Sequence, residues 1–460
     1  MNFSYLRREP GFYRRVFTLA LPVVLQNLIT TSLGFMDTFM VGLVGQEQMS
    51  AVTVANVPIY IIQLIVFGLQ SGSRVLISQF WGRGDRESIN RVMGIGFFVA
   101  GGISTLCALT MGLFPRQVLM LITDNARLVE LGTSYIRIVG FSYILNSLSS
   151  IYIGMQQSIE NPRFGMTVFA ISTVCNTVGN YILIFGKLGL PALGITGAAI
   201  ATFSSRVVEF VISLVYALHC KQMPLLPACI LRPGKATFRS FVKFSTPVLL
   251  NETLWGTGTS LYTVIMGHMA GNTDLISAYT VAGNIDKMVT VAIFGVAAAA
   301  VIVGKEVGMG GKNAYPIGQA LTFVAFCTGF GVAIAEQLLF WLVLKPHVLP
   351  LFSMTAASAS LCVTMMICYS ISAPLHAFAT TGIVGVLRGG GDVRIAMLID
   401  VLPLWCFTLP LLVLLGLVLH APIAIFCFIM ATESALKVPF GLHRIRGGKW
   451  IHDVTQDLNA

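Results

Sequence analysis

Three carboxylates stand where the sequence otherwise reads as hydrocarbon: Asp37 in GFMDTFMVGLVG, Glu252 in PVLLNETLW and Asp400 in IAMLIDVLPLWCF. Between Val16 and Val44, Asp37 is the only charged residue. An ionised side chain at the centre of a membrane helix costs about 2.5–3.5 kcal/mol on insertion scales, and intramembrane ionisable residues are mostly functional. Burial and a coordinating cation act in opposite senses on a carboxyl's hold on its proton, so one such acid can exchange a proton for Na⁺ or a cationic substrate. The alternative for Asp37 is a cap on a kink or an anchor at a helix end.

Polar residues extend each acid into a stripe. Gln26, Thr30, Gly34 and Asp37 recur at the helical period, which puts them on one face pointing away from lipid. Glu252, Gly256, Thr259 and Thr263 do the same later in the chain, and the position equivalent to Asp37 there is Tyr262. Glu252 is a candidate substrate or proton carboxylate, or else a polar contact near the cytoplasmic end. Asp400 has no cation within five residues of sequence, and interhelical hydrogen bonding to Ser or Thr is its structural alternative. Asn176 and Asn180, one turn apart, can supply amide oxygens to an ion beside Asp37 or hydrogen bonds between helices. His376 is a candidate proton shuttle against a packing histidine. Arg206 with Glu209, and Asp286 with Lys287, are expected to neutralise each other, the second pair at a helix end.

The elements that must carry these residues are membrane helices. Of 460 residues 55% are hydrophobic and only 10% charged, far below the quarter usual in soluble domains. Twelve apolar stretches are long enough to cross a bilayer, which predicts an all-α membrane protein. The nine cysteines lie mostly inside apolar runs without metal-ligand spacing. The patterns HExxH, GxSxG and a phosphate-binding GxxxxGK[ST] loop are absent, so the expectation is no enzyme and no cofactor.

Basic residues fall on one side. Segments facing one side carry a long series from Arg7, Arg8, Arg14 and Arg15 through Arg83, Lys221, Lys305, Arg388 and Lys437 to Lys449, while the other side has only Arg116, Arg127, Lys187 and Lys345. The positive-inside rule then puts both termini in the cytoplasm. It also accounts for the net charge of +10 without nucleic acid. MNFSYLRREPGFYRR has no cleavage pattern and is read as a cytoplasmic segment, residues 1–15. The expected organisation continues with an N-lobe at 16–217, a basic linker at 218–238, a C-lobe at 239–440 and a cytoplasmic tail at 441–460.

The halves repeat. LPVVLQN (21–27) matches TPVLLNE (246–252), and SAVTVANVPIYIIQLIVFG (50–68) matches SAYTVAGNIDKMVTVAIFG (277–295). Six spans per half is an even number, so the copies enter the membrane from the same side. The expected architecture is two pseudo-symmetric six-helix bundles around a central cavity.

Taken together, LALPVVLQN with GFMDTFMVGLVG, SQFWGRGD (78–85), NTVGNYILIFGKLGLPALGITGAAIAT (176–202) and LRGGGD (387–392) resemble the multidrug and toxic compound extrusion (MATE) family of NorM- and DinF-like bacterial antiporters. The resemblance runs over roughly residues 15–440. It implies export of small organic cations, drugs and dyes, in exchange for H⁺ or Na⁺ by alternating access of two lobes. It further implies that Asp37 matches the family's first-helix acid, a site open to Na⁺ as well as a proton, and that Asn176 and Asn180 match polar positions of the same N-lobe pocket. Glu252 and Asp400 match acids of another bacterial branch, with Tyr262 and His376 as neighbouring C-lobe candidates. Ile184 and Ala377 stand where some relatives carry acids, which tilts the expected coupling ion toward the proton. The expected setting is a multi-pass monomer of the cell inner membrane. A lipid-linked precursor flippase of the same superfamily is the alternative; it would want a basic cavity, which Arg74 and Arg137 favour and the intramembrane acids oppose.

Overall fold

The structure, a computed structural model, describes residues 11–269, 272–348 and 355–456. Arg7 and Arg8 of the expected cytoplasmic segment and the last four residues of the expected tail lie outside the described residues. Where no water can take up backbone N–H and C=O groups, a chain this apolar must satisfy them within its own helices. Twelve long helices result among the described residues: α1 (Phe12–Gly42), α2 (Gln46–Arg83), α3 (Arg86–Leu113), α4 (Ala126–Ser158), α5 (Pro162–Phe185), α6 (Gly194–His219), α7 (Lys235–Gly267), α8 (Asp274–Gly308), α9 (Ala314–His347), α10 (Ala356–Leu387), α11 (Val393–Val418) and α12 (Ile423–Arg446). Eleven are long and apolar enough to cross a membrane by length and composition. The remaining one is α7, whose middle turns carry Asn251, Glu252, Thr253, Thr257, Thr259 and Ser260.

Sequence motifs end and start these helices. In SQFWGRGD, Gly84 takes the left-handed conformation with φ 73° and ends α2, and the Asp85 side chain accepts from the Ser88 N–H to start α3. Gly186 ends α5 in the same way, and a side chain there would press on the Ala192 backbone. The linker is held down as well: Asn90 of α3 donates to the Pro224 carbonyl and accepts from the Leu226 N–H.

The chain divides into two compact units, residues 25–249 and residues 11–24 with 250–456. Both boundaries fall inside a helix, two residues beyond a proline: Pro22 in α1 and Pro247 in α7. These positions correspond in the sequence repeat. The units also share a packing scheme. In the first, α4 packs on α2, α3 and α6, and α5 on α6; in the second, α10 packs on α8, α9 and α12, and α11 on α12.

Three apolar clusters among the described residues hold the second unit, the smallest gathering Ile293, Val332, Ala373 and Ala377. Of the two larger, one gathers Tyr262, Met266, Phe340, Met366, Leu404 and Phe426, and the other Val301, Leu321, Phe378, Ile383, Leu387 and Trp450. Trp450 belongs to the segment expected to be a cytoplasmic tail, yet it is fully buried. It packs over Gly390 of LRGGGD, where the Gly390 carbonyl accepts from the His452 N–H at 2.7 Å and Asp392 accepts from Arg444 at 2.6 Å.

Candidate functional site

In the first unit, α1 and α5 bring Asp37 to the paired asparagines. Asn180 Nδ2 donates to Asp37 Oδ1 at 2.6 Å and to Asn176 Oδ1 at 2.9 Å, and both asparagines are 1% exposed. Since both acceptors use the amide nitrogen, Asn180 Oδ1 is left buried without a partner. A carboxylate beside an unused amide oxygen is an arrangement that can accept a proton or a small cation. Asn176 Nδ2 reaches Thr202 Oγ1 at 3.5 Å, which ties the pair to α6. The stripe on α1 is satisfied locally at its other end, where Gln157 Nε2 donates to Gln26 Oε1 at 3.1 Å. Ile184, one turn beyond Asn180, is buried and offers no charge.

Arg206 and Glu209 pair at 2.6 Å, and Glu209 also accepts from Ser172 at 2.7 Å and Asn146 at 3.2 Å. Both oxygens of that carboxylate are met by donors around it, as a buried ion requires. Among the described residues Asp37, by contrast, has an amide and no cation within hydrogen-bonding distance.

The second unit distributes its acids differently. Glu252 Oε1 lies 2.7 Å from Arg388 Nη1, the arginine of LRGGGD. Asp400 Oδ1 lies 2.7 Å from Lys437 Nζ, and its Oδ2 accepts from Asn251 at 2.8 Å. Lys437 also holds Glu433 Oε1 at 2.6 Å, one helical turn away, and Tyr262 donates to Glu433 Oε2 at 2.7 Å. His376 on α10 meets Phe294 edge-on at 6.4 Å and feels the charges of Lys437, Glu433 and Asp400.

These contacts correct three expectations. Arg388 and Lys437, read as cytoplasmic charges, are each 3% exposed and consumed by carboxylates, because a cation turned inward is tolerated only when paired. Asp400 is joined to an ammonium rather than to Ser or Thr. Asp286 and Lys287 do not stand at a helix end: Asp286 sits in the middle of α8, and Lys287, about 100° around the helix, is exposed, although its charge still acts on Asp286. Glu433, Lys437 and Glu336 were not singled out as site residues. The first two had a signal in their i, i+4 spacing, and Glu336 had one as a lone acid in AIAEQLLFW.

Known proteins resemble this chain throughout. The MatE family profile matches residues 22–182. "Probable multidrug resistance protein NorM" of Thermotoga maritima is 24% identical over 315 residues, 67% of each chain. "Multidrug resistance protein MdtK" of Edwardsiella ictaluri is 26% identical over 415 residues, 88% of each. Among solved structures, an outward-facing multidrug resistance MATE family transporter superposes with a TM-score of 0.82 at 17% identity, covering 97% of this chain and 98% of that one. A MATE structure in complex with MaL6 superposes with a TM-score of 0.84 over the same shares at 17% identity.

Proposed function

We propose that the chain is a multi-pass membrane transporter of the MATE family, a reading its likeness to the MatE profile and to multidrug resistance proteins supports, and that it exports small organic cations in exchange for H⁺ or Na⁺ by alternating access of its two lobes. It is a transporter and not an enzyme. The observation that carries the antiport reading is the Asp37–Asn180 contact: a carboxylate in a membrane helix, hydrogen-bonded among the described residues by an amide and by no cation, beside a buried amide oxygen without a partner. In this reading Asp37 holds the coupling ion in one lobe conformation and releases it in the other, and only that difference in affinity ties ion flow to the movement. No ATP-binding loop is needed, and the energy comes from the ion gradient. The protein works as a monomer without a cofactor in the cell inner membrane, with both termini in the cytoplasm.

A phosphate-binding flippase is less well supported, since Arg206, Arg388 and Lys437 are all engaged by carboxylates and Arg74 donates to Gln157 at 3.0 Å. The test is efflux of ethidium from proteoliposomes under an imposed pH gradient and, separately, an imposed Na⁺ gradient. Efflux under either gradient supports antiport, and the responsive gradient names the ion. Efflux under neither, in a preparation that binds ethidium, contradicts it.

A further inference from the structure

After α12 the chain folds back onto the second unit. Trp450, Val454 and Thr455 are all buried, and residues 447–455 run over the LRGGGD turn between α10 and α11. The approach is at backbone range. A methyl placed on Gly390 would have three atoms of Trp450 as its nearest neighbours, and one on Gly391 would meet His452 and Val454 at 2.7–3.2 Å. The Gly390 carbonyl accepts from the His452 N–H, and Gly391 pairs with Ile451 in an antiparallel bridge. The root of the segment is fixed to helices: Tyr315 of α9 donates to the Arg446 carbonyl at 3.1 Å, and the Trp450 indole donates to the Ile445 carbonyl at 3.0 Å. Arg444 of α12 grips both layers. Its Nε donates to Asp392 of the turn at 2.6 Å, and its Nη2 donates to the Lys449 carbonyl at 3.1 Å.

The turn so covered begins with Arg388, whose guanidinium reaches Glu252 of α7 at 2.7 Å and whose carbonyl accepts from the Gly391 N–H at 2.9 Å. Its first glycine lies against α8, where a methyl on Gly389 would meet the Ala300 carbonyl at 3.2 Å. The next two lie against residues 447–455. Glycine loses more conformational freedom on ordering than any other residue, so three in a row hold one shape only when outside contacts impose it. We propose that residues 447–455 are a strap whose docking on the LRGGGD turn positions Arg388 against Glu252. Trp450 and Arg444 are its positioning residues: the indole covers the glycines, and the guanidinium of Arg444 ties strap and turn to α12. A long, rotamer-rich arginine side chain keeps a single partner most readily when the backbone it springs from is fixed. What the Arg388–Glu252 pair does in transport rests on the antiport reading; its positioning by the strap does not.

The test is a set of double-mutant cycles read by thermal unfolding of the full-length protein in detergent. Glu252→Gln strands the buried Arg388 guanidinium and is expected to lower the melting temperature in the wild-type background. Trp450→Ala loosens the strap, and Arg444→Gln loosens it while leaving the apolar core filled. In both backgrounds Arg388 can turn away, and the further drop caused by Glu252→Gln is expected to shrink to about half or less. Asp400→Asn is the control, because Asp400 pairs with Lys437 and not with the turn. Its shift is expected to be the same in all three backgrounds. A strap that adds only general stability would leave the Glu252→Gln shift additive as well. Selective loss of that shift in either background supports the proposal. Additive shifts in each background that folds, or an equal loss for Asp400→Asn, overturn it. So does a Glu252→Gln protein that melts like wild type, since there is then no pair to position. Because melting requires no transport, these outcomes are separable from failure of the antiport reading, which efflux measures.

Discussion

Lys437 Nζ lies 2.7 Å from Asp400 Oδ1, and the same ammonium holds Glu433 at 2.6 Å, so one cation balances two buried carboxylates. Removing a partner from a buried pair costs about 3–5 kcal/mol, because a charge is left uncompensated. Lys437→Met is therefore expected to lower the melting temperature in detergent and the amount of protein in the membrane. Asp400→Asn leaves Lys437 on Glu433 and should cost less, about 1–3 kcal/mol for the altered hydrogen bonds. Thermal unfolding of the two variants side by side checks the order; equal stability of Lys437→Met and wild type would remove the ion pair from the account.

Tyr262 holds the position matching Asp37 in the repeat, and its hydroxyl donates to Glu433 Oε2. Tyr262→Phe removes that donor and leaves a buried carboxylate oxygen unsatisfied, at a cost of about 1–3 kcal/mol. The expected result is a lower melting temperature that Tyr262→Phe with Glu433→Gln partly restores, since Gln carries no charge to be stranded. A double variant no better than the single one would mean that the hydroxyl contributes nothing through Glu433.

Burial of Trp450 against Gly390 joins the last residues to LRGGGD. Trp450→Ala should destabilise the second unit by about 3–5 kcal/mol, the range for an emptied aromatic site. Gly390→Ala should destabilise as well, because the added methyl meets the indole ring. Melting curves of both variants check this, and an unchanged Trp450→Ala protein would show the tail to be detachable.

The charge bias predicts sidedness. In a cysteine-free background, a cysteine at exposed His347 should react with a membrane-impermeant thiol reagent in intact cells, and one at Gln456 should not. Labelling at Gln456 but not at His347 would invert the topology.

Much of this was legible in the sequence because membrane helices advertise themselves and because a lone polar residue in an apolar run needs a reason. Asp37, Asn176 and Asn180 were found that way, and the structure puts them in contact. Lys437 was not, since a lysine near a cytoplasmic helix end reads the same whether it snorkels outward or turns inward to an acid on another helix. Asp286 and Lys287 misled about place: an acid beside a lysine reads as a helix end, whereas both stand well inside α8. The partners of Glu252 and Asp400 stand more than a hundred and about forty residues away along the chain, and no local pattern announces such contacts.

The central claim is that Asp37 is the charge that switches during transport. Asn is nearly the size of Asp and costs less to place in a bilayer, so Asp37→Asn should insert and fold at normal abundance. It cannot take up and release a proton or a cation as Asp can, so the differential affinity that couples ion to movement is gone. The direct measurement is gradient-driven ethidium efflux from proteoliposomes holding equal amounts of wild-type and Asp37→Asn protein. The account predicts that efflux falls to the level of empty liposomes, and wild-type efflux by Asp37→Asn would contradict it.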